Sequence, residues 1–149
     1  MWQRFSEELR RVIFYAQETA SRLGSNDVGT EHLLQGLMRQ NADEPDPVLA
    51  ALVVSPDVLS HELEPFLVDV GDPPGKEMRL TPGSKKALDL AYAEAEDEGS
   101  QIVALRHLMV GLAQEGEPSG AVFARLGIDA ERVRRAASYP GREGQGEAG

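Results

Sequence analysis

Two stretches decide the fold: Val28-Gly29-Thr30-Glu31-His32-Leu33-Leu34-Gln35-Gly36-Leu37 and Val103-Ala104-Leu105-Arg106-His107-Leu108-Met109-Val110-Gly111-Leu112. Val, His, Leu, Gly and Leu recur at matched places, 75 residues apart. Working outward toward the N-terminus at the same offset, Ser6 answers Thr81, Arg10 and Arg11 answer Lys85 and Lys86, Ala16 answers Ala91, Ala20 answers Ala95, and Gly24-Ser25 answers Gly99-Ser100. Toward the C-terminus one residue is lost and the register becomes 74, pairing Leu52 with Leu126, Val54 with Ile128, Ser55 with Asp129 and Leu59 with Val133. A duplication held in register over this length sets the architecture before any local signal is weighed.

Each copy reads as four helices. Phe5, Leu9, Val12, Ile13, Ala16, Ala20 and Leu23 recur at three- and four-residue steps, which places them on one helical face. Ser6 supplies an oxygen for orphan amides at the start, and Gly24 tolerates a left-handed stop. Thr81-Pro82 and Gly99 repeat that scheme, with proline at the first helical position. Second helices are predicted near Thr30 to Arg39 and at the matching Leu105 stretch, third helices after Asp46-Pro47 and around Pro118, and fourth helices from Ser55-Pro56 and Asp129. Strand alternation is nowhere sustained, so the expected fold is all-α, a pseudo-twofold duplication of a four-helix repeat with about eight helices. The expected boundaries are 5–69 for the first repeat, 80–138 for the second, a Pro/Gly-rich linker at 70–79, and a polar, glycine-rich tail at 139–149, within one domain spanning 1–138.

Composition narrows the function classes. The 149 residues carry 25 Asp+Glu against 15 Lys+Arg, a formal net charge of −10. That balance argues against nonspecific attraction to nucleic acid or an anionic membrane, both of which reward basic patches. Eight acids and no Lys or Arg fall within residues 41–75, so the acidity belongs mainly to the first copy's second half and the linker. There is no cysteine, which removes disulfides and thiolate chemistry. No apolar run approaches the roughly 20 residues of a membrane helix, and a monomeric cytoplasmic protein is expected. His32 and His107 hold equivalent repeat positions, which suits hydrogen bonding near the second helices' starts. His61-Glu62-Leu63-Glu64-Pro65 lacks the second histidine of a zinc-protease helix. The acids at Glu94, Glu96, Asp97 and Glu98 read as a solvated helix face. No catalytic residue, metal site or cofactor is expected, and the chain is not expected to be an enzyme.

Three segments carry a resemblance to a known family. Met1-Trp2-Gln3-Arg4-Phe5-Ser6, the Val28 to Leu37 stretch, and Leu80-Thr81-Pro82 with Lys85-Lys86 resemble the amino-terminal domain of Clp ATPases, closest to the class C members. The resemblance implies a pair of four-helix repeats that captures substrates and adaptor proteins for an unfoldase coupled to a protease, in protein quality control. The ATPase modules of that family need a G-x-x-x-x-G-K-[ST] loop. Gly71-Asp72-Pro73-Pro74-Gly75-Lys76-Glu77 is one residue short and ends on Glu, so it reads as linker. The departures from the class C pattern favour a free-standing chain over a piece of a larger ATPase.

The resemblance also implies ligand-binding positions. At the helix starts, Ser6 with Arg4 and Arg10 sits opposite Thr81 with Lys85, where free amides and basic side chains welcome an anion. Class C domains recognise phosphoarginine near such positions, and the acidic residue of the Gly-Thr-Glu-His motif, here Glu31, would take the guanidinium while Ser6 takes the phosphoryl oxygens. The plainer reading makes Ser6 and Thr81 helix caps and Glu31 a complement to a helix dipole. In the second copy Arg106 replaces the glutamate and Ala104 replaces Gly29, so one equivalent centred on Glu31 is expected. Trp2 and Leu80, each just ahead of a cap, read either as hydrophobic staples or as an apolar rim where adaptors, arginine-phosphorylated substrates and cyclic-peptide antibiotics dock. Arg4, Arg10, Lys85 and Arg106 would make that groove locally basic. The competing function is a sequestering protein for antibiotics or phosphorylated metabolites, using the same groove.

Overall fold

Leu9, Val12, Ile13, Ala16 and Ala20, the stripe that fixes the first helix, are all buried on α1 (Glu7–Arg22), with Ser6 accepting from the Leu9 amide at its start. The computed structural model describes residues 2–52, 55–71, 78–115 and 117–138. Met1, Val54, the linker stretch 72–77 with most of the phosphate-loop lookalike, and the tail 139–149 lie outside the described residues. α2 (Thr30–Asp43), α3 (Pro47–Ala51) and α4 (Pro56–Leu63) complete the first set. α5 (Pro82–Glu98), α6 (Leu105–Gln114), α7 (Ser119–Arg125) and α8 (130–138) make the second. The duplicated all-α architecture is the observed fold. α2 runs four residues past the Arg39 at which its apolar pattern stops, because Gln40 continues inward and the Glu44 amide still bonds the Gln40 carbonyl at 2.8 Å.

Glycine is required where the helix pairs touch. Gly36 of α2 lies against α1 so closely that a Cβ would meet the Val12 carbonyl oxygen at 2.4 Å, and at Gly111 of α6 it would meet that of Ala87 in α5 at 2.1 Å. Only a residue without a side chain permits backbones this close. Leucines 33, 34 and 37 from α2 and 108 and 112 from α6 then fill one continuous core with α1 and α5. Each such burial contributes about 1.5–3 kcal/mol.

The two halves are stitched by an exchange absent from the sequence reading. β1 (Asp27–Val28) pairs in parallel with β2 (Arg79–Leu80), matching Val28 to Leu80, while Phe5 bridges Val103 in parallel. The segment ahead of each repeat's first helix therefore pairs with the segment ahead of the other repeat's second helix. Thr81 N donates to Val28 O at 3.0 Å, and Ser6 N donates to Val103 O at 2.9 Å. These two-residue strands are the sheet content among the described residues.

Candidate functional site

The exchange puts the starts of α2 and α5 side by side, and those of α1 and α6 likewise. Beside α5, Val28 O also accepts from the buried Ser84 hydroxyl at 2.8 Å, and Thr81 Oγ1 caps α5 by accepting from Ser84 N at 3.1 Å. Glu31 stands in α2's first turn. Its carboxylate folds back over Gly29, so that a Cβ there would lie 2.0 Å from Oε1. The second copy has Ala104 in that place, which leaves no such room. The side chains of Glu31 and Lys85 make no hydrogen bond or ion pair among the described residues. The crossed strands thus put the helix start that carries Glu31 beside the one capped by Thr81, and the one capped by Ser6 beside the start of α6.

The basic groove expected from Arg4, Arg10, Lys85 and Arg106 is corrected, since most of that charge is neutralised or bonded inside the chain. Arg4 pairs with Glu96 and donates to Tyr92 Oη at 2.6 Å and to the carbonyls of Ser100 and Gln101. The contact raises Arg4's pKa and holds the Glu96 carboxyl below the usual range. Arg10 donates to the carbonyls of Trp2 and Gln3 at 3.1 and 3.2 Å. Arg106 pairs with Glu98, which also meets His107 Nε2 at 2.9 Å, and the Arg106 contact is the main cause of Glu98's lowered pKa. Among the described residues Lys85 is the one of the four whose side chain makes neither a hydrogen bond nor an ion pair, while Arg10 makes hydrogen bonds only.

Trp2 and Leu80 are not counterparts. Leu80 sits in β2, half-buried against the core, and its repeat partner is Phe5. Trp2 is 51% exposed, tilted against the Phe5 ring at 5.6 Å and covered on one side by the Arg10 guanidinium. The histidines hold the expected structural place: Nδ1 of His32 accepts from Gly29 N and that of His107 from Ala104 N, both at 2.8 Å. Burial lowers the His32 pKa, opposed by the charge of Glu31.

Two features went unread in the sequence. Glu115, buried at the end of α6, accepts from Ser119 Oγ at 3.1 Å and lies so near α5's first turn that a Cβ at Gly83 would meet its Oε1 at 2.6 Å. Ser119 N in turn donates to Thr30 Oγ1 at 3.3 Å, which ties α7 to the start of α2. On the α1 and α6 side lies a cavity of about 290 Å³, whose polar wall is Glu8, Gln40, Glu44, Asp46 and Arg106. Gln40 and Glu115 stand 75 residues apart, and each continues a buried leucine stripe at helical spacing. A polar residue repeated at an inward position was the signal available.

The Clp repeat (R) N-terminal domain model matches residues 4–125. The chain belongs to this family. Over 136 residues this Clp repeat domain is 35% identical to the chaperone protein ClpB of Oceanobacillus iheyensis and 35% identical to the negative regulator of genetic competence ClpC/MecB of Bacillus subtilis. Each match takes in 91% of this chain and 17% of the relative, so the Clp repeat domain spans about a sixth of those proteins. Among solved structures it resembles the N-terminal domain of the caseinolytic protease associated chaperone ClpD from Arabidopsis thaliana, with a TM-score of 0.70 and 25% identity, covering 93% of this chain and 98% of that one. The N-terminal domain of Candida albicans Hsp104 shares the fold, with a TM-score of 0.73 at 16% identity over 89% of this chain and 88% of that one. Among the described residues no group of His, Asp and Glu is arranged to hold a metal ion, and no helix is long and apolar enough to cross a membrane.

Proposed function

We propose that this Clp repeat domain is a noncatalytic, cytoplasmic module that recognises polypeptides, receiving substrates or adaptors for a Clp unfoldase-protease or regulating one, and that its Glu31 side takes phosphoarginine. The observation that carries the reading is the meeting of the α2 and α5 starts at Val28, with the side chains of Glu31 and Lys85 making no hydrogen bond or ion pair among the described residues. A carboxylate suits a guanidinium, and an ammonium next to a helix start suits the phosphoryl group it carries. Arg106, already paired with Glu98, supports one equivalent instead of two. The exposed Trp2 ring lies at the other helix pair and would form part of an apolar rim for the polypeptide around the modified residue.

Calorimetric titration with phosphoarginine tests this. One equivalent is expected, weakened about tenfold or more by Glu31→Ala or Lys85→Ala, since a hydrogen bond to a charged group contributes about 1.5–3 kcal/mol. Two equal equivalents, or binding indifferent to both substitutions, would sink the reading.

A further inference from the structure

We propose that His32 is a positioning residue for the Glu31 side: its neutral ring holds the peptide unit that joins the start of α2 to the start of α5, and taking up a proton releases that unit and with it the ligand. The inference rests on the phosphoarginine reading for the identity of that ligand.

The unit is the peptide between Val28 and Gly29. Its carbonyl accepts from Thr81 N at 3.0 Å and from Ser84 Oγ at 2.8 Å, both at the start of α5. Its amide, Gly29 N, donates to His32 Nδ1 on α2 at 2.8 Å. A trans peptide is planar, with its C=O and N–H pointing to opposite sides, so neither end turns without the other. The His32 ring therefore sets the plane on which the start of α5 is held. The Gly29 carbonyl takes the His32 and Leu33 amides at 3.0 and 3.1 Å, which closes the first turn of α2. Glu31 lies over this same residue, its Oε1 2.0 Å from the place of a Cβ on Gly29.

An Nδ1 that accepts leaves the proton of the neutral ring on Nε2. A second proton must go to Nδ1, where it faces the Gly29 N–H, so the bond breaks and a buried amide loses its acceptor. Charge acts in the same direction, because a protonated ring next to Glu31 competes with a guanidinium for the carboxylate. Of the charged groups on the elements that meet the start of α2, Arg22 at the end of α1 donates to Thr19 Oγ1, Asp27 of β1 pairs with Arg79, Glu115 of α6 accepts from Ser119, and Lys85 stands on α5. Glu31 is the charge that bears on the His32 pKa, raising it against the larger effect of burial, which lowers it. Affinity is therefore full above pH 6.5 and falls as pH drops through the folded value, which lies below 6.5.

The second copy is built differently at this point. His107 Nδ1 accepts from Ala104 N, and its Nε2 meets Glu98 at 2.9 Å, so that ring is held at both nitrogens. Leu23 stands in the first copy where Glu98 stands in the second, and a leucine side chain accepts nothing. The bond from Gly29 N is the hydrogen bond that the His32 ring makes among the described residues. The helix start that carries Glu31 is thus the one governed by a single bond to a titrating ring.

The test joins NMR and calorimetry on the whole chain. The imidazole nitrogen signals of His32 locate its titration, and the Gly29 amide and the Glu31 carboxyl carbon are expected to move with it in the absence of ligand. Phosphoarginine affinity should fall about fivefold or more over about two pH units straddling that midpoint, within the tenfold per pH unit that one linked proton allows. His32→Gln keeps an acceptor for Gly29 N that does not titrate. It should bind as the parent does above the midpoint and lose the fall, which separates the ring from the titration of the phosphoryl group itself. His32→Ala, with no acceptor, should bind more weakly at every pH. The proposal is overturned if affinity is constant across the midpoint, if the fall persists in His32→Gln, if His32→Ala binds as well as the parent, or if the Glu31 carbon ignores the titration of the ring. Phosphoarginine binding at no pH would overturn the Glu31 reading alone when Gly29 and Glu31 still move with the ring, and both readings when they do not.

Discussion

Three glycines show how differently one missing side chain can be used. At Gly36 the obstacle to a Cβ is the Val12 carbonyl of a packed helix, whereas at Gly29 it is the far end of the Glu31 side chain. Gly36→Ala gains helix propensity of about 1 kcal/mol but forces two backbones apart, and overpacking costs about 1–3 kcal/mol. A net loss is expected, seen as a melting temperature lower by up to about 6 °C in thermal circular dichroism. Gly111→Ala should behave alike. Gly29→Ala should leave stability nearly unchanged yet turn the Glu31 carboxylate outward, changing phosphoarginine affinity without changing the melting temperature. Equal destabilisation by Gly29→Ala and Gly36→Ala would contradict this contrast.

His32 adds a pH dependence at the same scale. Its folded pKa lies below the ordinary 6.5, so the unfolded chain binds the proton first as pH falls. The stabilisation is fully present above 6.5 and is lost as pH drops from there through the folded value. Glu98, whose pKa is lowered from 4.5, adds a second loss at more acid pH. A melting temperature that falls between about pH 7 and pH 5.5, with a shallower fall in His32→Gln, is the expected result. A flat profile there would count against burial as the cause.

At the scale of elements, helix starts were the legible part. Ser6 and Thr81 cap as their residue types dictate, and Gly24 and Gly99 take φ of 76° and 77° at the stops. Thr81→Ala should cost about 1 kcal/mol through the lost cap alone, lowering the melting temperature by about 2–4 °C. If Thr81 also serves the ligand, phosphoarginine affinity falls when measured well below that temperature; if it is only a cap, affinity is retained. What the sequence did not disclose was which helix starts meet. Periodicity reports the face a helix buries, not its neighbour, and two-residue strands leave no alternating pattern to read. Glu31 and Ser6 belong to the same repeat, but the crossed pairing of Val28 with Leu80 and of Phe5 with Val103 puts their helix starts in different helix pairs. Arg4 and Arg106 were legible as charges, while their pairing was not, because Glu96 and Glu98 looked like a solvated face of α5. The cavity under Glu8 escaped notice for the same reason: its walls come from both copies.

For the whole molecule, the exchange decides whether the duplication makes two folding units or one. Each half lends its leading segment to the other, and the buried Ser84 hydroxyl of the second half satisfies the Val28 carbonyl of the first. Arg132 of α8 reaches the Leu52 carbonyl at 3.1 Å, Ser119 N reaches Thr30, and the hydrophobic core runs through both sets of helices. Separating the halves would leave backbone groups on both sides without partners and expose a shared apolar face, so neither half retains its structure once the other unfolds. A single calorimetric transition is expected, with calorimetric and van't Hoff enthalpies equal. Ser84→Ala, which removes one of the two hydrogen bonds that the Val28 carbonyl accepts at a cost of about 0.5–1.5 kcal/mol, should lower that one transition without splitting it. Two resolved transitions in the parent, or a split in the variant that leaves one half's helices intact, would show the repeats to be independent. It would also dissolve the candidate site beside Glu31 and Thr81, since that site is assembled from one helix start of either copy.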